Sequence, residues 1–165
     1  MTYTLGQFVA ELDRIIMRLK ADMPDIAVGY ASDCIANVQE RIQMTGTDSD
    51  GARLRAYTIA YEKFKKNPQK TKRGRDLGLG SSRYTGKVDY TLTGRMWSDI
   101  RPLSVQSNGY NIRVLMGARK KENIDKLRGL YNRDKKNPIA PSDEEIAIAN
   151  ENLKVTILGY FDSIK

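Results

Sequence analysis

Carboxylates are the side chains of this sequence best suited to chemistry. Asp48 and Asp50 lie in the segment Gly46–Gly51, and oxygen-bearing side chains at this spacing are typical of calcium loops. An EF-hand loop counted from Asp48 needs a bidentate glutamate at its twelfth position, but that position is Ile59. The favoured interpretation is therefore a turn held by an aspartate side chain, and we expect no metal here.

Other reactive groups of the sequence also have structural explanations. The 165-residue chain has no histidine and a single cysteine, Cys34, which excludes an intrachain disulfide and a cysteine-rich zinc site. Cys34 lies at helical spacing among small apolar residues, so we expect a buried thiol. Glu144 and Glu145 follow Ser142 in the pattern of a capping box. The sequence predicts no catalytic residue and no cofactor, although nucleases built from carboxylates, lysine and a metal need no histidine.

Positive charge is the second informative property. Lysine and arginine number 28 against 20 aspartates and glutamates, a formal net charge of +8. Residues 65–83, here called the basic segment, combine many of these cations with glycine and serine. A segment with so few large apolar residues buries too little surface to offset its ordering entropy. We expect a flexible loop or arm, either solvated or ordered against a neighbouring subunit or nucleic acid. Its candidate contact residues are Lys65, Lys66, Lys70, Lys72, Arg73 and Arg75.

A β-hairpin around Asn108 and Gly109 is the element expected to organise the fold. Apolar and polar residues alternate over 103–116 on both sides of this pair, and Asn-Gly favours a type I′ turn with φ > 0 at both residues. A two-residue turn at this point would place Val105 opposite Ile112 on the apolar face of the hairpin. Asn108 and Gly109 are also candidate contact positions at the hairpin tip.

Helices are predicted before the hairpin. Thr4 and Gln7 form a capping box that opens a helix with an apolar stripe to Leu19, which we interpret as a packed amphipathic helix. A second stripe runs from Pro24, a residue suited to the first turn of a helix, to about Met44. The two helices are expected to abut at an angle or to form one kinked helix.

Further elements complete the predicted fold, a single domain over residues 1–165. It is an α+β fold in which N-terminal helices and a C-terminal helix pack on a small antiparallel sheet with the central hairpin. The remaining expected elements are a short helix or turn at 57–65, a third strand at 88–92, a short helix or extended loop at 120–133 and a final helix at 143–165.

The segment 92–100 resembles a signature of tailed-phage neck and tail-completion proteins, which include the virion-morphogenesis and minor tail families. In that family Thr-Gly and Arg are followed by Leu and then by Ser-Ile. The present sequence has Arg95, but Met96 stands in place of Leu, and Asp99 separates the serine from Ile100. Both Arg95 and the neighbouring Trp97 are candidate contact residues.

Other segments are similar to motifs of the same family and occur in the same order. Residues 46–63 resemble a block with glycine and aspartate followed by tyrosine and lysine, but Ala52 stands where the family often has tryptophan. Residues 114–117 are similar to a strand that ends in glycine. Residues 137–145 are similar to the entry of the last helix, with Asn137 in place of arginine and Ile139 in place of an aromatic residue.

This resemblance implies a structural virion protein without catalytic activity. Such proteins form homo-oligomeric rings that join the portal-side connector to the tail tube, so the implied partners are further copies of the chain and those two components. Contact with DNA in transit is an additional expectation, and a membrane partner is not expected. The implied location is the neck or tail of the virion, after synthesis in the host cytoplasm.

The final helix is expected to supply apolar contacts between subunits, because its stripe continues towards the end of the sequence. Its candidate contact residues are Ile157, Phe161 and Ile164. The alternative function is a basic nucleic-acid-binding protein without catalytic activity, in which cations of the basic segment contact phosphates and neighbouring tyrosines stack on bases.

Overall fold

The computed structural model describes residues 4–91, 94–108 and 111–162. Within these ranges the chain has the predicted α+β fold, with five α-helices and a two-stranded antiparallel sheet. Short 3₁₀ helices occur at Pro68–Lys70 and Trp97–Asp99. None of the described helices is long and apolar enough to cross a membrane. The regular elements are α1 (Leu5–Thr45), α2 (Ile59–Lys66), α3 (Lys72–Asp76), β1 (Ile100–Asn108), β2 (Asn111–Ala118), α4 (Lys121–Asp134) and α5 (Asp143–Gly159).

Helix α1 is one continuous helix of 41 residues, about 60 Å long at 1.5 Å per residue. The predicted capping box between Thr4 and Gln7 begins it, and Pro24 lies inside it. The expectation of two abutting helices is therefore corrected in favour of the alternative, one helix through the proline. Pro24 removes one backbone hydrogen bond, and the helix continues past it with buried residues at Ala31, Cys34, Val38 and Ile42. The helix ends at Gly46, whose φ of 70° is accessible to glycine at low cost.

The hairpin is present, but its register differs from the predicted one. Asn108 lies inside β1 and pairs with Asn111, and Val105 pairs with Val114 instead of Ile112. The prediction of a type I′ turn with Asn108 and Gly109 at its centre is wrong, because Asn108 continues strand β1. Gly109 lies outside the described residues. The register changes by two residues, so Val105, Ile112 and Val114 still share the apolar face, but Leu103 leaves it.

A bulge in β1 keeps that face continuous. The pairing shifts between Pro102 and Ser104, and the extra residue, Leu103, is 37 % exposed. Pro102 and Val105 would point to opposite faces of a regular strand, but the bulge turns both towards the protein, where they are half-buried. The expected third strand at 88–92 is corrected, since its described residues, 88–91, form no strand.

Helix α1 is the common support of the other elements. The hairpin and α5 both pack on it, and Val38 and Ile42 of α1 form the core with Met96, Trp97 and Ile100.

Contacts along α5 follow α1 in reverse order, so these two helices are antiparallel. Glu145 at the start of α5 pairs with Arg41 at 2.7 Å. Tyr160, the C-cap of α5, donates its hydroxyl to Asp22 at 2.8 Å.

The basic segment has regular local structure, contrary to the expectation that it lacks any. It contains a 3₁₀ turn and α3, which is capped by a hydrogen bond of 3.0 Å from the Gly74 amide to the Thr71 hydroxyl. Pro68 and Leu79 are buried. The number of large apolar residues in this segment does not indicate the close packing of Gly74 on Pro68. An added Cβ at Gly74 would lie 1.8 Å from the Pro68 carbonyl oxygen.

We predict that Gly74→Ala destabilises the protein, because the methyl group would overlap a backbone oxygen that cannot move aside alone. The expected loss is about 1–3 kcal/mol in the free energy of unfolding, measured by chemical denaturation. Gly29→Ala is the matched control, because nothing lies within 4 Å of its added Cβ. Within helix α1 this control should raise stability by about 1 kcal/mol. Equal stability of Gly74→Ala and the natural protein would contradict the packing of the basic segment described above.

Candidate functional site

A buried ion pair lies between the basic segment and the irregular chain before the hairpin. The Lys65 ammonium contacts the Asp89 carboxylate at 2.6 Å, and their side chains are 0 % and 4 % exposed. The Lys65 ammonium also lies 4.8 Å from the centre of the Tyr57 ring, a favourable cation–π geometry. Lys65 was expected at a subunit or partner contact, but the structure corrects this, because the side chain belongs to the interior.

Asp89 is the centre of a hydrogen-bond network. Its carboxylate accepts bonds from the hydroxyls of Tyr57 and Thr85 and from the amide of Thr91, each at 2.9 Å. Burial by itself would raise the pKa of Asp89, but the hydrogen bond from Lys65 and these other donors outweigh it, so the pKa lies below its ordinary value. The network therefore holds a charged carboxylate inside the protein.

The same network shapes the backbone at Tyr90. This residue has a φ of 50°, which is uncommon for a side chain other than glycine. The Tyr57 hydroxyl accepts hydrogen bonds from the amides of Asp89 and Tyr90 at 3.2 and 3.0 Å, and the Tyr90 hydroxyl donates to Asp134 at 3.0 Å. Burial, the Asp89 charge and the hydrogen bond to Asp89 raise the pKa of Tyr57. The network thus fixes the local conformation with neutral tyrosines and a charged aspartate.

Two side chains of the segment 92–100, Trp97 and Asp99, are buried in the interior. Trp97 is 4 % exposed, and its indole nitrogen donates to the Asp89 carbonyl at 3.4 Å. Asp99 is also buried and accepts hydrogen bonds from the Lys120 amide at 2.8 Å and the Asn123 side chain at 3.0 Å. The hydrogen bond from Asn123 is the main cause that lowers the pKa of Asp99. Trp97 is therefore corrected from a contact residue to a core residue, and Asp99 caps the start of α4.

A groove with cations and tyrosines opens between the basic segment and α4. We call it the basic groove, and its cavity volume is 890 Å³. A second cavity of 560 Å³ continues it, because both are lined by Tyr61, Tyr90, Met96 and Lys126. The predicted contact residues that line the basic groove are Lys72, Arg73 and Arg95.

The charges of the basic groove are mainly positive. Lys72, Arg73, Arg95 and Lys126 face the carboxylates of Asp76 and Glu122 in its lining, and the continuation adds Arg55 and Arg133. A groove of this kind attracts phosphates or acidic side chains.

The remaining predicted cations of the basic segment lie outside the lining of the groove. Lys66 is paired with Glu62 at 2.6 Å and lies 4.5 Å from the centre of the Tyr84 ring. Lys70 and Arg75 are exposed, and Arg75 donates to the Gln69 carbonyl at 3.3 Å. The structure therefore divides the predicted set between the interior, the groove and the outer surface.

The acidic candidates have the structural roles that the sequence predicts. The Asp48 carboxylate accepts the amides of Asp50 and Ala52, each at 3.0 Å, as in an Asx turn. Lys136 contacts the carboxylates of Asp48 and Asp50 at 2.6 Å. Glu145 completes the predicted capping box with Ser142. Across the described part of the chain, no cluster of three or more histidine, cysteine or acidic residues could hold a metal ion.

The first part of α1 forms an exposed apolar surface. We call residues 5–17 the N-terminal arm. All residues from Leu5 to Ala10 are exposed. The end of α5 lies beside Arg18, whose guanidinium carbon is 5.3 Å from the centre of the Tyr160 ring. The expectation of a packed helix is therefore corrected for residues 5–10, whereas Leu12 is half-buried and Ile15 is 4 % exposed. Its large exposed apolar residues are Leu5 (81 %), Phe8 (38 %), Val9 (48 %), Ile16 (42 %) and Met17 (72 %).

The remaining predicted contact residues lie at the ends of the hairpin and of α5. Ile157 and Phe161 are half-buried, and Ile164 lies outside the described residues. Asn108 contributes backbone pairing to β1.

No family model, curated protein or solved structure matches this chain.

Sequence reasoning missed the N-terminal arm as a surface and Asp89 as the centre of a network. The stripe from Leu5 to Ile16 has the same spacing whether it is covered or exposed, so only its position relative to α5 distinguishes the two. For Asp89, the available signal was its position between Val88 and Tyr90 in a short apolar stretch. The lysine that pairs with it lies in a helix earlier in the chain.

We predict that Lys65→Met destabilises the protein strongly, because the charged Asp89 carboxylate would remain buried without its cation. The expected loss at pH 7 is about 3–5 kcal/mol, measured by urea denaturation. Lys66→Met is the matched control and should leave the stability nearly unchanged, since its ion pair is exposed to solvent.

The effect of Lys65→Met should decrease on acidification. In the natural protein the pKa of Asp89 is depressed, so its contribution is present above the unfolded value and is lost as pH falls through the folded value. In the variant the buried carboxyl lacks its cation, its pKa rises, and protonation towards pH 4 relieves the buried charge. If the natural protein and Lys65→Met differ in free energy of unfolding by the same amount at pH 7 and at pH 4, this role of the ion pair is contradicted.

Proposed function

We propose that this chain is a structural virion protein of the head–tail neck or tail terminus, a tail-completion protein that forms a ring between the connector and the tail. The observation that carries the proposal is the N-terminal arm. Its apolar residues Leu5 and Met17 are 81 % and 72 % exposed, although burial of such side chains is favourable. Exposed apolar side chains grouped on one helix face, here Leu5, Phe8 and Val9, mark an interaction surface, as an assembling subunit requires.

The order of the family-like motifs is the second support. The signature around Arg95 is followed by β2, which contains Gly117, and by the helix α5 with its capping box. Asp48, Trp97 and Asp99, which lie in or beside these motifs, have hydrogen bonds that hold loops, core and helix start. Roles of this kind suit a structural protein, in which motif residues maintain the subunit.

The proposed partners are further copies of the chain, the portal-side connector and the tail-tube proteins. The net charge of +8 favours anionic partners. A ring at the neck surrounds DNA in transit, and the basic groove with Lys72 and Arg73 supplies cations for acidic protein surfaces or for phosphates. No catalytic step and no cofactor belong to this proposal.

The direct test is the place of the chain in particles. We expect an antibody raised against the purified protein to label tailed particles, from cells that encode the chain, at the junction of head and tail. A reconstruction of that junction should contain density for the chain with cyclic symmetry. Particles assembled without the chain should have heads and tails that fail to join. A chain absent from purified particles, or present as one asymmetric copy bound to nucleic acid, would contradict the proposal.

The second candidate function is nucleic-acid binding without catalysis, and the basic groove is the observation that favours it. Its walls combine Lys72, Arg73 and Lys126 with Tyr61 and Tyr90, and aromatic rings beside cations are typical of single-strand binding surfaces. The Lys66 ammonium over Tyr84 and the Arg133 guanidinium over Tyr90 occupy faces of nearby rings. Phosphate contacts, more than base stacking, would therefore dominate such binding.

We predict that any DNA affinity of the purified protein depends on the basic groove and on salt. Lys72→Glu should weaken binding and lower the slope of log affinity against log salt by about one, measured by fluorescence anisotropy with labelled DNA. Lys154→Glu on α5 is the matched control, since it makes the same charge change beside the exposed Glu151. Equal loss in both variants would show that net charge, not the groove, determines the affinity.

A further inference from the structure

The structure contains an apolar groove that its own N-terminal arm cannot fill. The groove has a cavity volume of 330 Å³ and lies between α1, the inner face of the hairpin and α5. We call it the apolar groove, and its lining includes Met23, Ala27, Tyr30, Ile112, Val114 and Leu153.

The arm and one wall of the groove belong to the same continuous helix, α1. From Phe8 to Met23 the helix advances about 22 Å, at 1.5 Å per residue, so the arm projects away from the groove. Folding back would require breaking the helix and its backbone hydrogen bonds.

We propose that the N-terminal arm of one copy of this chain docks in the apolar groove of the next copy. This inference rests on the proposed function and specifies the contact that builds the ring. The arm presents Leu5, Phe8 and Val9 at helical spacing on one face, and the groove presents aliphatic and aromatic side chains. Both surfaces are apolar, and they lie at different places on the subunit.

Two different, complementary surfaces produce a head-to-tail contact. Such a contact closes into a ring when the rotation between neighbours permits, whereas a surface that pairs with itself stops at a two-fold dimer. A subunit within the ring makes the contact twice, once through its arm and once through its groove. The arm–groove arrangement therefore provides the geometry that a neck ring requires.

The size of the contact also favours a ring over an isolated pair. An arm about 20 Å long and 10–12 Å wide offers one face on the order of 400 Å² at most, because the part around Ile15 is already buried in its own subunit. Counting both partners, a single contact buries at most about 800 Å², below the usual size of a specific interface. One contact alone would hold two copies weakly, and closure of the ring doubles the contacts of each subunit.

Chemical cross-linking of the full chain tests the contact. In a Cys34→Ala background, Val9→Cys in the arm is combined with Ile112→Cys in the groove, and a short flexible bismaleimide is added at high protein concentration. We expect a ladder of covalent multimers on a denaturing gel, since each copy carries both partners of the contact. Val155→Cys with Ile112→Cys is the control for random collision, because Val155 is 70 % exposed on α5, and it should give no ladder.

The single substitution Val9→Cys distinguishes the alternative pairing. A strong dimer from this variant alone would show that arms pair with arms, which would overturn the proposal. Absence of a ladder from the double variant would overturn it too.

Sedimentation velocity provides a second readout without cross-linking. Val9→Glu should abolish the concentration-dependent oligomer, and Val155→Glu should leave it unchanged, while circular dichroism verifies that both variants are folded. Equal oligomerisation of the two variants, or a natural protein that remains monomeric at high concentration, would overturn the contact.

Failure of this inference is distinguishable from failure of the proposed function. A chain located at the neck of particles whose double variant gives no ladder would retain the function and lose the contact. A ladder from a chain that is absent from particles would retain the contact and lose the function.

Discussion

The continuity of α1 is the constraint on which the rest of the structure depends. One helix of 41 residues supports the hairpin, α5 and the core at Val38 and Ile42. Because its backbone hydrogen bonds run through the whole length except at Pro24, the helix presents covered residues at one end and exposed apolar residues at the other. An element that both supports the core and projects beyond it would connect the stability of the subunit to the proposed assembly.

Buried polar contacts hold the irregular parts of the chain against this helix. Lys65 pairs with Asp89, Arg41 joins Glu145, and Asp99 caps the start of α4. Each charge is costly to bury and needs partners with good geometry, so such contacts specify one arrangement of loops that have few apolar residues. Charged residues that the sequence offers as candidates for binding or chemistry, such as Lys65 and Glu145, therefore stabilise the fold.

The sequence predicted what local rules determine and missed what depends on distant contacts. The capping boxes of Thr4 and Ser142 were predictable, because they need only neighbours three residues apart. The hairpin register was not, since Asn108 can end a strand or begin a turn with nearly the same local signal. Burial of Lys65 depends on Asp89, 24 residues away, and no local pattern contains that information. The basic groove was predicted only as charge, because its walls come from separate elements.

Copies of this chain, in our proposal, assemble head-to-tail into a closed ring. Electron microscopy of the concentrated natural protein, with particle images sorted into classes and averaged, tests this assembly. We expect closed rings with one cyclic symmetry, in which a rod of density leaves each subunit and ends on its neighbour. Two-fold dimers joined by their rods, or monomers alone at every concentration, would contradict it.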